Sequence, residues 1–176
     1  MKQIVIKILA VSALAALTAC ASDGHDTATK LYCPNVAVLQ QTSQLDAFLP
    51  NRPDVSGQIT EALVTGVAGS CELEAKKQLV RVTFKIGFDA TNGPANHFEP
   101  LELPYFVSIV DGDQIASKSL YQIPISFEGN ISSAAAASRT MTVELPNVPE
   151  TANIQVLVGF QLTPEQLVYA QDHPAR

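Results

Sequence analysis

Apolar and polar residues alternate along much of this chain with a period of two. Between Leu79 and Phe88 the alternation is unbroken: Val80, Val82, Phe84, Ile86 and Phe88 are separated by Arg81, Thr83, Lys85 and Gly87. A strand turns successive side chains to opposite faces, so this segment has one face for a core and one for water. Ile154, Val156, Val158, Phe160 and Leu162 repeat the pattern, and Thr140 to Leu145 turns Met141, Val143 and Leu145 inward. Val36–Leu39 and Ile59–Leu73 are weaker strands, the second predicted to bend or bulge at Gly66 and Gly69.

Turn and cap chemistry fills in the rest. Asp111-Gly112-Asp113 between Tyr105–Val110 and Ile115–Phe127 predicts a tight hairpin, because an Asp-Gly step readily supplies positive φ. An acidic turn also raises calcium, but the further oxygen ligands of a calcium loop do not follow. Pro104 and Pro124 lack amide donors, which predicts strands at sheet edges or with bulges nearby. Gln44 to Leu49 reads as a turn of helix before Pro50-Asn51-Arg52-Pro53. Thr163-Pro164-Glu165-Gln166 opens a second helix with a capping residue, a first-turn proline and a reciprocal cap, and Pro174 stops it. About seven or eight short strands with little helix predict an all-β antiparallel sandwich of immunoglobulin or fibronectin type III style, with a short C-terminal helix. A small closed barrel is the alternative.

The amino-terminal end follows another logic. Lys2 and Lys7 bracket a basic start, Ile8 to Ala19 is uncharged and mostly apolar, and Leu17-Thr18-Ala19-Cys20 follows. These four residues resemble the lipobox of bacterial lipoproteins, in which the cysteine is acylated and the chain is cut before it. The expected organisation is a signal peptide over 1–19, an acylated Cys20 with a flexible tether over 20–30, and a single β domain over 31–176. The rivals are a secreted protein cut by an ordinary signal peptidase and a single-pass anchor, for which the apolar run is marginal. The chain has three cysteines; a structural disulfide between Cys33 and Cys71 in an oxidising compartment leaves Cys20 as the odd thiol. Ala21 and Ser22 follow it, with no Asp directly after. In the sorting rule that the resemblance implies, this favours the inner leaflet of the outer membrane, with the domain facing the periplasm.

Further along, Tyr32-Cys33-Pro34-Asn35-Val36, Leu101-Glu102-Leu103-Pro104-Tyr105-Phe106 and Leu157-Val158-Gly159-Phe160-Gln161-Leu162-Thr163-Pro164-Glu165-Gln166-Leu167 are structural in character. They resemble a group of uncharacterised outer-membrane lipoproteins from alphaproteobacteria. The resemblance carries no activity, substrate or cofactor, and so implies no active-site residues.

Composition narrows the function. The formal net charge is −6, which argues against nucleic acid or an anionic membrane surface as an electrostatic partner. Membrane attachment then rests on the acyl chains. No nucleophile elbow, phosphate-cradling loop or clustered metal ligands appear, so neither a catalytic residue nor a metal or other cofactor is expected. His25 with Asp23 and Asp26 reads as solvated tether. His97, in a Gly93-Pro94 loop, reads as an exposed polar residue, and Asp89 and Glu99 are not brought together by spacing. The expected role is a membrane-tethered structural or protein-interaction module of the envelope, with Leu157, Leu167 and Tyr169 as candidate contact residues and Leu120 and Val110 beside them. The partner is an envelope protein whose identity the residues leave open. The alternative role is a small apolar ligand or lipid binder, which requires Phe84, Phe88, Tyr121, Phe127 and Phe160 to line a cavity instead of filling a core.

Overall fold

The computed structural model describes residues 30–129 and 131–174. The expected signal segment and most of the tether, Cys20 included, lie outside the described residues. Within them the chain runs β1 (Asn35–Val38), β2 (Gln44–Phe48), β3 (Gln58–Glu74), β4 (Leu79–Asn92), β5 (Leu101–Asp111), β6 (Gln114–Ile125), β7 (Ser133–Ala137), β8 (Met141–Pro146), β9 (Ile154–Phe160) and α1 (Pro164–Asp172).

The strands form two sheets, and neither closes into a barrel. One has the order β1-β9-β5-β6; in the other, β2-β3-β4 is completed by β7 and β8. These last two take successive halves of the same β4 edge: β8 pairs Leu79–Phe84 and β7 pairs Gly87–Thr91. The architecture is the expected β-sandwich. Its inner layer comes from the alternating positions: Val80, Val82, Phe84, Ile86 and Phe88 of β4 face Val156, Val158 and Phe160 of β9, all buried in one cluster. Removing each such side chain from water stabilises the fold by about 1.5–3 kcal/mol before entropy is counted.

Four local readings change. Gln44–Phe48 is a strand, not a helical turn, because Leu45 and Ala47 pair with Ala62 and Thr60 of β3 and bury on the core side. The bend in β3 falls between Val64 and Gly66, whereas Gly69 pairs in regular register with Phe84. β5 is an interior strand, with β9 on one side and β6 on the other. Pro104 stands where the β9 ladder ends: the paired register stops at Tyr105, and beyond it the Pro104 carbonyl still accepts from Gln161 N at 2.9 Å while its missing amide returns no bond. Pro124 lies on β6, which is an edge as expected. Finally, Ser133–Ala137 forms a strand where none was expected.

Two glycines are imposed by geometry. Gly112 has φ 58° and is the first of two loop residues between Asp111 and Gln114, the arrangement of a type II′ hairpin turn. Gly159 on β9 packs under the short 3-10 turn Gln40–Thr42, where a Cβ would lie 2.0 Å from Thr42 Oγ1.

Candidate functional site

The segment leading into β1 is fastened twice. Cys33 and Cys71 form a disulfide, with Cα atoms 6.2 Å apart, that joins the segment before β1 to β3. Asn147, just beyond β8, clamps the same segment: Tyr32 N donates to its Oδ1 at 3.0 Å, and its Nδ2 donates to Lys30 O at 2.9 Å. The chain entering from the amino-terminal side is therefore tied to the β2–β3–β4 sheet before β1 begins.

The helix predicted from its caps is present as Pro164–Asp172, with the reciprocal capping box between Thr163 and Gln166. It packs against β2 and the preceding 3-10 turn. Between α1, the end of β2 and the following loop lies a cleft of about 380 Å³, lined by Asp46, Phe48, Arg52, Glu165, Gln166 and Tyr169 among others. Phe48 and Tyr169 meet edge-on, with ring centroids 4.9 Å apart. Tyr169 stacks in turn on His173 at 4.2 Å.

Beneath the helix lies an acid that local pattern alone did not single out. Alternation along β2 puts Leu45 into the core and sends Gln44, Asp46 and Phe48 to the other side, where α1 covers them. Asp46 is 4% exposed and Gln44 8%. Gln44 Nε2 donates to Asp46 Oδ2 at 2.6 Å, while Gln44 Oε1 is buried without a hydrogen-bond partner. Burial pushes the Asp46 carboxyl up from its ordinary value; the Gln44 amide pulls it down, Glu61, opposite it on β3, pushes it up, and His173 and Gln58 pull it down more weakly. Burial and then the nearby Asp46 raise the Tyr169 phenol as well. Asp46 was hidden in the sequence because a helical reading of Gln44–Leu49 turns it to solvent.

The other candidates separate. Leu157 is half-buried on β9, with Ser108 and Ala37 opposite it on the neighbouring strands. Val110 is half-buried on β5, and Leu120 on β6 is 63% exposed. Leu167 and Tyr169 are half-buried on α1, Tyr169 against β2 of the other sheet. His97 is exposed, with φ 52° in its loop, while its neighbour Asn96 is buried and bonds Asn92 Oδ1 and Glu99 O at 2.8 Å each. Phe84, Phe88, Phe127 and Phe160 belong to one packed core cluster with Tyr121 at its margin, so these five rings do not frame a common chamber.

No family model, no curated protein and no solved structure matches this chain.

Proposed function

We propose that the protein is a bacterial lipoprotein moored by an acylated Cys20, whose β domain serves as an interaction module for another protein of the cell envelope, on the periplasmic side of the outer membrane. The observation that carries the reading is the cysteine pairing. Cys33 and Cys71 bond to each other, and the remaining thiol, Cys20, ends an apolar run in the lipobox-like Leu17-Thr18-Ala19-Cys20. A disulfide suits an oxidising compartment, which agrees with export. The double fastening at Tyr32 and Cys33 supports the same reading, since it secures the domain where a tether would pull.

The α1–β2 face, with Tyr169 and Leu167, is the contact surface this reading favours, and Leu157 is the candidate on the opposite sheet. Intact-mass analysis of protein purified from bacterial membranes tests the mooring. The expected result is a chain beginning at residue 20 with a diacylglycerol-sized addition, and accumulation of uncut precursor for Cys20→Ser. An unmodified amino terminus, or normal maturation of the variant, overturns it. Crosslinking in intact cells tests the module: a reproducible heterologous adduct is expected, and recovery of the monomer alone counts against it.

A further inference from the structure

We propose that the cleft between α1 and β2 binds an alkylammonium group, its charge held by Asp46 and its alkyl part lying against Phe48 and Tyr169. This does not depend on acylation of Cys20. A carboxylate withdrawn from water needs an opposing charge or a full set of donors. Asp46 is almost fully buried, yet the ion pairs among the described residues are Arg52–Asp54, Lys77–Glu74, Arg81–Glu74 and Arg81–Glu144, none of which includes it. Its nearest donor is the neutral Gln44 amide, whose own oxygen is buried without a partner, and Gln58 and the charge of His173 favour the carboxylate more weakly. Asp46 is thus held by neutral amides and lacks an ion-pair partner among the described residues.

The surroundings select the class of ligand. Glu61 faces Asp46 across the β2–β3 ladder, and Glu165 of α1 lines the cleft. Arg52, the cation lining it, is turned to Asp54 and Ser56. His173 is the basic group contributed from the end of α1, and it stacks on Tyr169. An anion would meet the carboxylates of Asp46 and Glu165 with Glu61 behind them, and a neutral apolar molecule would bring Asp46 no opposing charge. An ammonium brings a full charge and three N–H donors, and aromatic rings attract cations over their faces. The volume of about 380 Å³ suits a short alkyl chain.

A free amine and a lysine side chain share this chemistry, and titration of the full chain in detergent, followed by amide and aromatic NMR shifts, separates them. The probes are n-pentylamine, Nα-acetyl-lysine methylamide and, as a neutral control, 1-pentanol. The expected result is saturable shifts at Asp46, Phe48, Gln166 and Tyr169 with n-pentylamine and none with pentanol. Saturation by both cations assigns a lysine side chain as a fitting ligand; saturation by n-pentylamine alone assigns a free amine. Asp46→Asn should weaken binding about tenfold or more, while Asp89→Asn, at an exposed acid on β4, should leave it unchanged. Failure of both cations to saturate, equal binding of pentanol, or retained affinity in folded Asp46→Asn overturns the proposal. So do shifts spread evenly over the acidic surface. Should Asp46→Asn not fold, the wild-type map and the pentanol control decide.

Discussion

Tyr169 of α1 stands edge-on to Phe48 of β2, ring centroids 4.9 Å apart. This contact ties the last element of the chain to the second strand and makes one wall of the cleft above Asp46. The helix itself is short and carries no fully buried residue, so its position depends on its cap and on this aromatic pair. A nine-residue helix is too short to be stable alone.

The cap is the first place to test. Thr163 Oγ1 accepts from Gln166 N at 3.2 Å, and Gln166 Oε1 accepts from Thr163 N at 2.9 Å. Thr163→Ala should cost about 1 kcal/mol. The loss should appear first as faster amide exchange over residues 164–172, with the β core protected as before.

Asp46 should make stability depend on pH. Its carboxyl is raised chiefly by burial, so the folded state keeps the proton over a window in which the unfolded chain has lost it. Across that window the folded state binds more protons, and stability falls as pH rises. Above the folded value the cost of the buried charge is fully present, and below the ordinary carboxylate range it is gone. Asp46→Asn should therefore be more stable than the wild type at neutral pH, the gap closing as the solution is acidified through that range. Denaturant midpoints measured across the acid range check this; a gap that stays constant with pH would contradict it.

Reduction of Cys33–Cys71, or Cys33→Ser with Cys71→Ser, frees a 38-residue loop in the unfolded chain. The expected loss is about 2–4 kcal/mol, read as a lower denaturant midpoint. Because Asn147 still holds Lys30 and Tyr32, limited proteolysis should leave the sandwich intact at low temperature.

Gly159→Ala tests the close packing of the Gln40–Thr42 turn on β9. The new Cβ would lie 2.0 Å from Thr42 Oγ1 and 3.1 Å from Thr42 O. The turn must move away, at a cost of about 1–3 kcal/mol. A lowered melting temperature is expected, and unchanged stability would show that the turn yields freely.

How much of this was legible depended on whether burial left a periodic trace. β4 and β9 were readable because each buries one face along most of its length, so the period of two survives in the residue types. Ser133–Ala137 was not: Ala134 and Ala136 turn inward and Ala135 and Ala137 outward, but four alanines carry no contrast and have little strand preference. Gln44–Phe48 was misread for a related reason. Its outward positions are covered by a helix more than a hundred residues later in the chain, so Gln44 and Asp46 are polar in type yet buried in place.

The residue sequence by itself determined the alternating strands, the hairpin at Gly112, the capping box of α1 and the pairing expected of two cysteines. Each of these is written within a few neighbouring residues or in the count of one residue type. Tertiary structure decided that β5 is interior, that β7 and β8 share one edge of β4, and that α1 closes over β2. Those outcomes depend on which distant segments remove one another from water. That same long-range burial turns Asp46 from a solvated acid into a buried one, held by a neutral amide and outside every ion pair among the described residues.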